Sequence, residues 1–250
     1  MQDLLKNIAA QKKRLEELLK NKENRFVLQK WLKTELAYTS NAIEGNTLTR
    51  RETVRAIEEN IASGGKPIKD YLEARNHAAA YDFVIEHAKG RKAVDESVVL
   101  KIHALILAGI DGVNAGFYRT VRVRLLGSRT VLPNPLKVPG LMEEFGQWLA
   151  TTKGDAVEKA FEAHYRLVTI HPFVDGNGRA ARLLMNLILM MDGYCPVIIR
   201  PVDRKRYLSS LETRQTKDNA EPYTNFMCAA LCRSLKTVVD SLEVEKDAGI

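Results

Sequence analysis

Apolar residues recur along most of this chain at the spacing of amphipathic helices. Leu4, Leu5, Ile8, Leu15, Leu18 and Leu19 form a stripe in a Lys/Glu background, which predicts a first helix with a solvated basic face. Phe26, Leu28, Trp31, Leu32 and Leu36 predict a second helix from about Arg25 to Glu44, with Gly45 as its stop. Thr49 and Glu52 have capping-box spacing, so a third helix starts there and runs to about Ile61, broken by Ser63-Gly64-Gly65. The same periodicity predicts helices over 67–89, 95–108, 136–151, 155–170, 178–191, 201–214 and 220–242. One stretch departs from it: Val121, Val123 and Leu125 alternate with arginines, then come Gly127-Ser128 and Val131-Leu132-Pro133. That alternation predicts a short exposed β-hairpin over 119–133, in a chain that is otherwise all-α.

Composition narrows the function classes. At 250 residues, 45% hydrophobic and 28% charged, the chain suits one domain with a sizeable core and excludes wholesale disorder. The longest apolar run, Leu183 to Met191, is interrupted by Asn186 and falls well short of the roughly 20 residues that cross a bilayer. No secretory leader pattern opens the chain, and Cys195, Cys228 and Cys232 form no CxxC pair. The expectation is a cytoplasmic protein with reduced thiols and no membrane partner. A net charge of +7 raises the question of a polyanion. A basic nucleic-acid-binding regulator would show salt-sensitive DNA binding, yet no helix-turn-helix or zinc-finger pattern is evident. Gly64-Gly65-Lys66 is followed by Pro67, which is not a Walker A loop.

The segment from His171 to Arg182, HPFVDGNGRAAR, carries the chemistry. Gly176-Asn177-Gly178 can turn successive backbone N–H groups toward one point, and the helix behind it presents its N-terminus there. Arg179 and Arg182, three residues apart, project from neighbouring positions and can clamp two phosphates. Asp175 beside that nest would repel an anion without an intervening cation, for which magnesium is the natural choice. His171 is the nearby group able to take a proton near neutral pH, while His77, His87, His103 and His164 read as packed. A carboxylate at Glu44, near a helix C-terminus, faces the negative end of the helix dipole, so something else must want it there.

These residues match the signature of the Fic family, His-Pro-Phe-x-Asp/Glu-Gly-Asn-Gly-Arg-x-x-Arg, at every specified position, and the resemblance runs from about Thr39 to Leu242. It implies a helical Fic core with a hairpin flap and transfer of AMP from ATP to a Ser, Thr or Tyr hydroxyl of a protein, with Mg²⁺. By position, His171 would be the general base and Asp175 the magnesium ligand. Gly176, Asn177 and Gly178 would form the phosphate nest, with Ala180 and Ala181 at the same helix start. Arg179 would contact the transferring phosphates and Arg182 the γ-phosphate. Leu126, Gly127, Ser128 and Arg129 of the flap would lie over the nucleotide, and Tyr207, Leu208 and Gln215 would line the adenine pocket. An extended segment of the target would pair with the 119–133 hairpin. Ser40-Asn41-Ala42-Ile43-Glu44-Gly45-Asn46 resembles the family's inhibitory motif, in which Glu44 would pair with Arg182. The implied organisation is a regulatory segment, 1–61, and a catalytic domain, 62–250, whose core spans about 95–230. Some relatives dimerise, modify themselves, or use the same glutamate to remove AMP from modified proteins, so a mainly hydrolytic enzyme is an alternative.

Overall fold

The computed structural model describes residues 2–62 and 65–247, so the predicted break at Ser63-Gly64 lies outside the described residues. Among the described residues ten helices follow one another: α1 (Gln2–Leu18), α2 (Lys22–Ile43), α3 (Arg50–Glu58), α4 (Ile68–Lys89), α5 (Glu96–Ile106), α6 (Val138–Thr151), α7 (Ala156–Ile170), α8 (Asn177–Met191), α9 (Arg204–Lys217) and α10 (Glu221–Asp247). Their starts are written in polar residues. Asn21, Asp95 and Asp155 each accept a hydrogen bond from a first-turn N–H, and Thr49 with Glu52 closes a full capping box. A single turn of tighter helix, Pro135–Lys137, leads into α6 and another, Pro201–Asp203, into α9, so both helices begin later than the apolar pattern suggests.

The expected hairpin is absent. No strand occurs among the described residues, and 119–133 runs as irregular chain. Alternating Val and Arg supply a strand-like pattern, but its exposed Val121 and Val131 have no facing sheet to cover them. A two-stranded ribbon with so little apolar surface is marginal alone.

Helix α8 forms the axis of the fold. From Asn177 to Leu189 all but Gly178 are buried, because Leu183, Leu184, Met185, Leu187, Ile188 and Leu189 are apolar on every side of the helix. Helices α4, α5 and α7 pack around it, α1 lies against α10, and α2 lies on α4. The N-terminal helices share that core through Ile8, Leu15, Leu28, Leu32, Leu36 and Ile43. The first turn of α8 is thereby held rigidly, with the last turn of α2 beside it.

Candidate functional site

The loop between α7 and α8 makes two sharp reversals. His171 ends α7 in the left-handed region (φ 50°), and Gly176 opens α8 there (φ 80°). A Cβ on Gly176 would meet the His103 ring at 3.3 Å and Ile106 at 3.1 Å, so glycine serves both conformation and space. Asn177 closes the loop from inside: its Nδ2 donates to the Phe173 carbonyl (2.9 Å) and its Oδ1 accepts from the Phe173 N–H (3.0 Å). The Phe173 ring is buried and stacks on His103, with centroids 3.5 Å apart.

His103, read from sequence as packed, is also a support of this loop. Its Nδ1 accepts from the Gly116 N–H (2.9 Å), which leaves the proton on Nε2 to donate to the Asp175 carbonyl (2.9 Å). Burial lowers it to about 4, keeping the ring neutral and this tautomer fixed.

The same logic sets His171. Its Nδ1–H donates to the Val168 carbonyl at 3.3 Å, leaving the Nε2 lone pair free as a base. Burial is the largest influence and lowers its pKa, with the Arg119 charge acting in the same direction. Neutral imidazole is therefore the resting form at pH 7.

Helix α8 offers its N–H groups at this point. Ala180 N–H already bonds to the Gly176 carbonyl (2.9 Å), so the N–H groups of Asn177, Gly178 and Arg179 precede the intrahelical ladder and face an anion site. Ala180 and Ala181, expected with the nucleotide-binding residues, are fully buried in the core. The carboxylate of Glu44 lies over Gly178, against the position that a Cβ there would occupy. Glu44 Oε1 accepts from Arg182 Nη2 at 2.8 Å, while Ser40 holds the same guanidinium through its Oγ to Nε (2.9 Å) and its carbonyl to Nη2 (2.9 Å). Arg204 Nε donates to the neighbouring Ile43 carbonyl (2.6 Å). Two guanidinium groups thus cover the negative end of α2, Arg182 pairing with the Glu44 carboxylate and Arg204 with the Ile43 carbonyl, which resolves the misplaced carboxylate.

Arg179 is 1% exposed. Its Nη1 lies 2.9 Å from Glu73 Oε1 and its Nη2 lies 3.2 Å from Asp175 Oδ2, but Nε and Nη1 have no aligned acceptor. A buried cationic donor without a partner, here Nε, fits an incoming phosphate oxygen at a helix start. Glu73, on α4, also accepts from Asn46 Nδ2 (2.9 Å), joining the end of the α2 motif to Arg179. Asp175 Oδ1 accepts from the Gly176 N–H (2.6 Å), and Oδ2 lies 3.7 Å from Lys69 Nζ. The Arg179 charge and the Gly176 N–H hold its carboxyl below the usual range against the opposing effect of burial. No group of three or more metal-ligating side chains occurs among the described residues. One half-exposed, ionised carboxylate at the mouth of a phosphate nest nevertheless suits magnesium, which is usually held by one or two carboxylates together with substrate phosphates.

The 119–133 segment is fastened by side chains in place of a ladder. Arg119, at the start of the segment, is 2% exposed. Its Nε donates to the His171 carbonyl (2.7 Å), Nη1 to the Val121 carbonyl (3.1 Å) and Nη2 to the Pro133 carbonyl (2.7 Å). Further out, Glu212 Oε1 accepts from the Arg129 N–H (2.7 Å) and from Ser128 Oγ (3.1 Å). Thr130 Oγ1 donates to Gln215 Oε1 (2.9 Å), and Gln215 Nε2 donates to Thr169 Oγ1 (3.0 Å). Leu126 is fully exposed, Gly127 turns with φ 77°, and Leu208 is part-exposed on α9. Tyr207 differs from its expected place: it is 1% exposed and its hydroxyl lies 2.8 Å from His164 Nε2, so it lines no open pocket here. Glu73, Asn46, His103 and Arg119 were missed as site residues because each acts through a partner distant in sequence.

Comparison with known proteins agrees with this geometry. The Fic/DOC family profile matches residues 93–189. The protein adenylyltransferase Fic of Drosophila grimshawi is 35% identical over 193 residues, 76% of this chain and 39% of its own length. The Caenorhabditis elegans protein adenylyltransferase fic-1 is 33% identical over 215 residues, 84% of this chain and 42% of its own length. The chain thus spans about two fifths of the length of these curated relatives. A Fic domain containing signaling protein from Bacteroides thetaiotaomicron superposes with a TM-score of 0.84 at 27% identity, covering 95% of this chain and 97% of that one. For a C. elegans Fic-1 fragment the TM-score is 0.86 at 28% identity, covering 97% and 73%. The signature loop, the helix it opens and these likenesses agree: the chain belongs to the Fic/DOC family.

Proposed function

We propose that this chain is a protein adenylyltransferase that restrains itself through Glu44. The observation that carries the reading is the pairing of Glu44 with Arg182 across the start of α8, beside a histidine whose Nε2 is free to act as a base. ATP would place its phosphates on the free N–H groups of Asn177, Gly178 and Arg179. Arg179 would receive a phosphate oxygen on its unpartnered Nε, and Arg182 would hold the γ-phosphate once Glu44 leaves it. Asp175 would hold magnesium, which neutralises phosphate charge when bound. A target hydroxyl would give its proton to His171 Nε2 as its oxygen bonds to the α-phosphorus, and the bond to the β-phosphate oxygen would break to release pyrophosphate. Little covalent help is needed, because positioning and charge neutralisation dominate this class of transfer.

On this reading residues 1–61 are the regulatory segment, through α2, and 62–250 the catalytic part. Segment 119–133 presents Arg122 and Arg124 outward for an extended stretch of the target. The test uses labelled ATP with magnesium: Glu44→Gly should raise transfer to the protein itself or to lysate proteins, and His171→Ala should abolish it. Equal labelling of the parent and both variants would refute the assignment.

A further inference from the structure

A cavity lies at the far end of α8, about 20 Å along the helix from the loop that opens it. It encloses about 340 Å³, within the range of small-molecule sites. Leu15 of α1, Leu28 and Leu32 of α2, Ile85 of α4 and Met190 of α8 supply apolar walls. Tyr81, Ile85, Ala88 and Lys89 share one face of α4 and all line the cavity, so it follows that helix for about 12 Å, at roughly 1.5 Å per residue.

Two polar features interrupt this apolar lining. Tyr81 is 1% exposed, and its hydroxyl has no hydrogen-bond partner among the described residues. A buried O–H left unpaired is costly, and an acceptor brought to it recovers that cost. The second feature is charge. Arg25, Lys89 and Arg91 line the cavity, whereas no Asp or Glu among the described residues does. Lys89 pairs with Glu86 (2.8 Å), and Arg25 donates to the Leu19 and Lys20 carbonyls at the end of α1. Beside Gly193, another lining residue, Glu16 and Asp192 pair with Lys12 (3.8 and 2.9 Å). The Arg91 guanidinium, exposed just past the end of α4, has no partner among the described residues.

We propose that this cavity binds an elongated carboxylate with an apolar body and an oxygen at its far end. The carboxylate meets Arg91, the free cation. The body, a chain of about ten carbons, runs the ~12 Å along α4 between the leucine walls. The far oxygen accepts from the Tyr81 O–H. The site lies away from the phosphate nest, and the inference does not depend on the transfer reaction.

The test uses the full chain without nucleotide and three probes, each below the concentration at which it forms micelles. The probe 10-hydroxydecanoate carries both polar ends, decanoate lacks the far oxygen, and 1,10-decanediol lacks the charge. Calorimetry should give saturable binding of the hydroxy acid. Decanoate should bind about fivefold more weakly, the weight of one neutral hydrogen bond, and the diol about tenfold more weakly, that of one to a charged group. Tyr81→Phe should erase the difference between the two acids, and Arg91→Asn that between hydroxy acid and diol. Tyr81→Phe removes only the unpaired hydroxyl, and asparagine tolerates the left-handed backbone of Arg91 (φ 47°). No saturable binding of the hydroxy acid, or a different order of the three probes, would overturn the proposal. So would a preference that survives its variant, because the probe would then sit elsewhere. Should either variant not fold, the order in the parent protein decides.

Discussion

Asn177→Ala tests how the catalytic loop is held. The native side chain makes two hydrogen bonds to one residue, Phe173, at 3.0 and 2.9 Å, and both partners are buried. Truncation leaves the Phe173 N–H and carbonyl without partners, and each orphaned buried group costs about 1–3 kcal/mol. Alanine has the better helix propensity, but at the first helical position this returns only a few tenths of a kcal/mol. The net loss is about 2–5 kcal/mol, which for a domain of this size lowers Tm by roughly 4–20 °C. Nucleotide affinity should fall less than stability, because binding loses only the fraction of molecules whose loop is open. Differential scanning fluorimetry, with hydrogen exchange at the Phe173 amide, reads both effects. A Tm within about 2 °C of the parent and an unchanged Phe173 amide would refute the claim that Asn177 closes this loop.

Two neighbouring glycines should respond oppositely to the same change. Gly176→Ala forces a Cβ against His103 and Ile106 at φ 80°, a cost of about 1–3 kcal/mol, whereas Gly178→Ala meets the movable end of Glu44 and should leave Tm level or higher while displacing Glu44 from Arg182; the reverse order in thermal melts would refute this. Acid should destabilise the fold before its carboxylates titrate. His77 and His164 are lowered to about 3 and His103 to about 4, each chiefly by burial. Below about 6.5 the unfolded chain binds protons that the native state refuses, so their stabilisation is complete above that pH and is lost as pH falls toward the native values. Each contributes about 1.4 kcal/mol per pH unit in that window, and a Tm that stays flat from pH 7 to 5 would contradict it.

What could be read in the sequence divides along physical lines. The loop from His171 to Arg182 was legible because its groups are contiguous and one helix start organises them. Glu44 was legible as a local contradiction, a carboxylate at the wrong helix end, and its cation, Arg182, lies far along the chain. The hairpin was misread because alternation reports exposure on two sides, while a strand also needs a partner. Here Arg119, Glu212 and Gln215 take the backbone and side-chain groups that a ladder would have used. Tyr207 was placed by its position in the family pattern, yet burial decides its partner, and burial comes from the packing of α9 and α10 against α7. Arg179 is paired with Glu73, a carboxylate on a different helix that the sequence did not mark as its partner.

The three-way grip of Arg119 has an evolutionary consequence. By holding the carbonyls of Val121 and Pro133 as well as that of His171, one guanidinium ties off the neck of a surface excursion and joins that neck to the His171 loop. Sequence drift beyond the neck, including insertions, which add little loop-closure entropy, leaves His171 where it is. Sequence at the tip can therefore diversify while the loop below it is held unchanged.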